Sequence, residues 1–177
     1  MKKILALLTV TFFNVFNSQV AIGKTAVSNS SVSLEFGAQN RGLLLPWVTS
    51  ATTMTNTPNG TICFDLIDNR IKIKYAVGWQ DFSQNSLGTT IDPVTTIDGR
   101  ILQDPLTDIP TAKTSIGSSQ SSSSAILILE DNNKAMILPK VASPHYNIIN
   151  PSPGMMVYDT DSKMFAVFNG SMWTYWR

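Results

Sequence analysis

The chain has 177 residues, 43% of them hydrophobic and only 14% charged, with a formal net charge of +1. One cysteine rules out an internal disulfide, and together with the one histidine it falls short of the three or four ligands zinc needs. No block of lysine and arginine stands out to displace counterions, which argues against nucleic acid and anionic membranes as partners.

Residues 1–18 read as a secretory signal peptide. "MKK" is its basic head, "ILALLTVTFFNVF" its apolar run, and "NSQV" a polar exit containing the small Ser18. The run is short for a membrane span, so cleavage is expected at Ser18–Gln19, leaving no span behind. No cysteine lies near the cut to carry lipid. Loss of Lys2 and Lys3 leaves 11 basic against 12 acidic residues, a formal charge of −1. A periplasmic, cell-surface or secreted location is expected.

Residues 19–82 form a first repeat. Val32, Leu34 and Phe36 alternate with Ser33, Glu35 and Gly37, the period of a half-buried strand. "GLLLPWV" (42–48) predicts a buried strand with a proline stop, because Pro46 lacks the donor a central ladder position needs. Then "GTICFD", "RIKIKY" and "WQDF" predict a three-stranded meander. In it Ile71, Ile73 and Tyr75 share one face, leaving Lys72 and Lys74 for solvent. Cys63 is expected to be buried, since a free cysteine packs as a small hydrophobe.

Residues 83–114 are rich in Thr, Asp and Pro and read as a linker, with a turn at Asp98–Gly99. Edge strands are expected around "TTI" and "RIL". The serine run from Ser118 reads as a flexible entry to a second repeat.

Residues 115–177 write the first repeat again. At an offset of 93, Ser31, Leu34, Asn40, Leu45, Pro46 and Val48 meet Ser124, Leu127, Asn133, Leu138, Pro139 and Val141. One extra residue moves the offset to 94, where Gly60, Cys63, Asp65 and Trp79 meet Gly154, Val157, Asp159 and Trp173. "AILILE" is apolar at successive positions, as in a strand covered on both faces. "AMILPKV" restates the proline phrase, and "GMMVYD", "MFAVF" and "WTYW" predict a second meander with a turn at Asn169–Gly170. The fold expected is all-β: two tandem repeats, each a strand plus a three-stranded meander. No stretch has a helical period. A repeat of this size is marginal alone, so the copies are expected to pack together or to assemble as a trimer or dimer.

These phrases resemble a group of secreted and surface β-repeat proteins of Gram-negative bacteria, marked by "VGIG", "GLLLPR", "PGM-VYDT" and "YNGS-W". Here they stand as "VAIG" (20–23), "GLLLPWV", "SPGMMVYDT" (152–160) and "FNGSMW" (168–173). Similar segments occur in phage tail-fibre-like proteins, usually ahead of a distal domain; none is recognised after Arg177. The resemblance implies an envelope or extracellular location and a structural β module, and transfers no catalytic residue. It departs where the base after the proline becomes Trp47 in the first copy and Lys140 in the second.

Chemistry is sparse. His145 lies in a loop without a nucleophile elbow near it, so no enzyme and no cofactor are expected. Asp65, Asp68, Asp159 and Asp161 fit turn chemistry better than a calcium loop. Trp173 and Tyr175 share one strand face and Trp176 takes the other. The first reading is a non-enzymatic structural or adhesive module that self-associates, with a surface glycan or protein as partner. The second is a carbohydrate-binding module. The ligand candidates are Trp47, Lys140 and Trp176.

Overall fold

A computed structural model describes residues 19–177 apart from 38–39, 84–86, 108, 110, 119 and 124. The predicted signal peptide therefore lies outside the described residues, as do Ser119 and Ser124 of the serine run.

The duplication is plain in the element order. The first copy runs β1 (Val20–Ile22), β2 (Val32–Phe36), β3 (Leu43–Leu44), β4 (Trp47–Val48), a 3-10 turn (Ala51–Thr53), β5 (Ile62–Asp65), β6 (Arg70–Tyr75) and β7 (Gly78–Asp81). After the one-turn helix α1 (Arg100–Gln103), the second runs β8 (Thr114–Ile116), β9 (Leu127–Leu129), β10 (Ala135–Ile137), β11 (Lys140–Val141), the one-turn helix α2 (Pro144–Asn147), β12 (Met155–Asp159), β13 (Met164–Phe168) and β14 (Trp173–Trp176). The chain is mostly β and repetitive. Parallel pairs β1–β2 and β8–β9 wind it solenoid-fashion into each copy, and β4–β5 and β11–β12 are parallel too. The meanders β5–β6–β7 and β12–β13–β14 are antiparallel and lie where the sequence places them.

Several expectations are corrected. Each copy has four short strands ahead of its meander, not one. The phrase "GLLLPWV" is not a single buried strand: it breaks at buried Leu45 and exposed Pro46, and Leu44 is 46% exposed. The proline does mark the break. Pro46 and Pro139 cannot donate, but their carbonyls accept from the amides of Phe64 (2.9 Å) and Tyr158 (2.8 Å), seating each bend on its meander. β2 is buried on both faces, Ser33 and Glu35 included, because the carboxylate of Glu35 is satisfied by Lys24 and Ser28. In "AILILE" only Ile128 is buried; Ile126 and Leu127 are 67% and 40% exposed. Of the linker, "RIL" is helical and "TTI" contributes only an isolated bridge from Ile91 to Asp98. The helical pieces are single turns, too short to show a period.

The two copies share one core. Leu45, Phe64 and Ile71 of the first pack with Met156 and Val167 of the second. Phe82 and Trp176, equivalent positions of the two copies, stack with ring centroids 5.2 Å apart. The second copy has a further apolar face around Val141, Ile148, Val157 and Ala166. At the positions matching Val157 and Ala166 the first copy has Cys63 and Lys72. Cys63 is buried as expected. Lys72 does not face solvent: it is ringed by Asp68 (2.6 Å), Asp81 (3.2 Å) and Asp65 (3.9 Å), and Arg70 also holds Asp81 (2.8 Å). That face is closed by charge pairing where its counterpart is closed by packing.

Two ladders cross between copies. β2 pairs in parallel with β10, matching Leu34 to Met136 and Glu35 to Ile137. β3 pairs antiparallel with β12, matching Leu43 to Met156 and Leu44 to Met155.

Candidate functional site

A groove of distinct chemical character lies beside Trp47. It has a volume of about 360 Å³ and is lined by Trp47, Thr90, Ile91, Leu102 and Pro153 among others. Four parts of the chain meet there: β4, the linker, the loop before β12 and, at Gly170, the turn between β13 and β14. Trp47 ties the first three. Its indole N–H donates to the Pro153 carbonyl (2.8 Å), and its ring tilts against Phe64 at 5.7 Å. Gly99 is required by space, since a Cβ there would lie 2.8 Å from the Trp47 ring. Asp98 braces the same wall by accepting from the Thr90 hydroxyl (2.7 Å) and the Arg100 amide (3.0 Å). Those bonds, Thr90 first, hold its carboxyl below the usual range.

The three ligand candidates are not brought together. Trp47 is half-buried in the groove wall, whose lining includes neither of the other two. Lys140 is exposed on β11. Trp176 stacks on Phe82 and donates its N–H to the Phe82 carbonyl (2.8 Å), bracing one meander on the other. Trp173 and Tyr175 pack on the opposite face, as the alternation predicts. The linker residues of the groove were not legible beforehand. The Asp98–Gly99 turn and the expected edge strands pointed to order there, and neither gave a sign that Trp47 would be the partner.

Asp65 and Asp159 do turn chemistry in both copies, whereas Asp68 pairs with Lys72 (2.6 Å). Asp65 accepts from the amides of Ala51 (2.9 Å) and Ile67 (2.8 Å). Its counterpart Asp159 accepts from the amides of Ser143 (3.0 Å) and Asp161 (2.9 Å) and from the Ser162 hydroxyl (2.7 Å). Burial pushes the Asp159 carboxyl up, yet these bonds outweigh it and hold it below its ordinary value. His145 is an exposed residue of α2, its ring nitrogen 2.9 Å from the Tyr175 hydroxyl. Among the described residues no group of three or more His, Cys, Asp or Glu is placed to hold a metal ion. None of their helices is long and apolar enough to cross a membrane.

Residues 115–177 match the family model described as a phage tail like trimerisation region. That span is the second copy as read from the duplication. No curated protein and no solved structure matches the chain. The mostly β chain thus carries a phage tail-like trimerisation region in its C-terminal copy, which suggests a homotrimer.

Proposed function

We propose that this is a non-enzymatic structural protein that assembles as a homotrimer and serves outside the cytoplasm as a surface or adhesive β module. The observation that carries the reading is the trimerisation-region match over residues 115–177, set on a chain whose two copies repeat the same β architecture. Matching side chains of the two copies spend their polar groups on holding backbone, as Asp65 and Asp159 do, which suits a scaffold. The apolar leader supports export. Light scattering on the purified protein is expected to give three times the chain mass at micromolar concentration. A monomer or dimer mass would refute the trimer. Fractionation of cells expressing the chain with its own leader tests export, and full-length protein retained in the cytoplasm would remove that part.

A second reading, carbohydrate binding, rests on the groove beside Trp47, where an aromatic ring stands near Thr90 and other polar groups. Glycan-array binding lost in Trp47→Ala would support it. Binding unchanged by that substitution would sink it.

A further inference from the structure

The two cross-copy ladders run one way. The first copy offers β2 and β3, and the second receives them with β10 and β12. A two-fold relation between the copies would repeat both pairings in reverse, β9 with β3 and β10 with β5. Neither occurs among the described residues. The contact is therefore of the head-to-tail kind, which leaves a complementary face at each end and, repeated between chains, closes as a ring or grows as a filament.

The free faces are identifiable. On the second copy, β9 pairs only with β8 among the described residues. Its counterpart β2 is sandwiched between β1 and β10. The consequence shows in burial: Leu34 is 2% exposed, and its equivalent Leu127 is 40% exposed beside Ile126 at 67%. The duplication has also replaced Ser33 and Glu35 with Ile126 and Ile128. An apolar strand edge left open is an aggregation hazard that folded proteins cover. On the first copy, β5 is paired with β4 at Phe64 and Asp65, leaving the edge at Ile62 open among the described residues. The matching stretch of β12, Met155 and Met156, is filled by β3.

We infer that a second copy of this chain covers these edges by repeating the internal contact: β9 of one chain lies parallel beside β3 of the next, and β10 lies antiparallel beside the start of β5. The internal ladders supply the register. Shifting Leu34–Met136 and Glu35–Ile137 by the repeat offset pairs Leu127 with Leu43, and Ile128 with Leu44, of the neighbouring chain. Shifting Leu43–Met156 and Leu44–Met155 pairs Met136 with Ile62 and Ile137 with Thr61. The Leu45 amide bonds the Gly154 carbonyl at 3.1 Å, so the Leu138 amide is assigned to the Gly60 carbonyl. This deepens the trimeric reading and rests on it, naming the strands by which three chains close.

The test is a double variant, Leu43→Cys with Leu127→Cys, treated with a short bis-maleimide. The parent chain, whose one cysteine is the buried Cys63, is the blank. Leu44→Cys with Met155→Cys, accessible neighbours across the internal β3–β12 ladder, is the control that links within one chain without raising its mass. The expected result is denaturant-resistant dimers and trimers from the Leu43–Leu127 variant and none from either single variant. A trimer by light scattering that yields no linked chains overturns the strand assignment while leaving the trimer. A monomer by light scattering overturns both. A second variant guards against local misfolding. The Ile126 carbonyl and the Glu130 amide face β8, so the Leu129 amide points to the open edge, and Leu129→Pro removes that donor while leaving the bonds to β8 in place. It is expected to give monomers that keep the parent's far-ultraviolet circular dichroism. Trimers surviving Leu129→Pro would count against the proposal.

Discussion

Asp159 is the residue whose replacement best tests how this fold is held. Its carboxylate is 2% exposed and accepts three hydrogen bonds, at 3.0 Å from the Ser143 amide, 2.9 Å from the Asp161 amide and 2.7 Å from the Ser162 hydroxyl. The first of these reaches the residue before α2, where Ser143 stands in the left-handed region at φ 43°. One carboxylate thus fixes both the turn after β12 and a strained residue sixteen positions earlier. A hydrogen bond to a charged group is worth about 1.5–3 kcal/mol. Ser143 and Ser162 are partly accessible and Asp161 is exposed, so water recovers part of that in the variant. Asp159→Ala is therefore expected to cost about 3–4 kcal/mol. Asp159→Asn keeps one oxygen for the two amides and weakens the third bond, at about 1–2 kcal/mol. In urea the Ala variant should lose about 1–2 M in midpoint, for a slope typical of a small protein. Chain concentration must be held constant, because assembly shifts apparent stability. If both variants fall within about 0.5 kcal/mol of the parent, as at an ordinary surface site, the claim that Asp159 holds the two segments together is wrong.

Other outcomes rest on single contacts. Trp47→Phe keeps the ring against Phe64 but drops the bond to the Pro153 carbonyl, so a loss of about 1 kcal/mol in urea unfolding is expected, with Trp47→Ala costing at least twice that. Gly170→Ala should be severe. The position has φ 95° and a new Cβ would collide with the Thr89 carbonyl, so a drop of more than about 2 kcal/mol, or loss of soluble protein, is expected. Glu35 carries a pH signature. Its bond with Lys24 first, and then Ser28, hold its carboxyl at about 2 against an ordinary 4.5, so its contribution is complete above pH 4.5 and fades as pH falls towards 2. Glu35→Gln should therefore flatten the acid limb of a plot of melting temperature against pH, and an unchanged limb would contradict the assignment. Cys63 is 1% exposed and burial, then Asp65, pushes its thiol up to about 12, so a thiol reagent at pH 8 should label it only as fast as the chain unfolds.

The sequence by itself determined what local pattern controls. Alternating apolar residues bounded by turn formers set both meanders, whose hydrogen bonds close between neighbours in the chain. The repeat offset located the second copy, and Pro46 and Pro139 had to mark breaks because proline cannot donate. Trp173, Tyr175 and Trp176 divided between faces as a strand's period of two requires. What the tertiary structure decided is everything that depends on long-range partners. Lys72 looked solvated because its neighbours in sequence are apolar, yet Asp68 and Asp81 arrive from the adjoining turn and strand to enclose it. Glu35 looked like an outward residue until Lys24 and Ser28 were folded over it. Equivalent phrases also acquired different neighbours. β3 lies on β12 while β10 lies on β2, since the copies meet head to tail, and no pattern within either copy could show which edge would remain open.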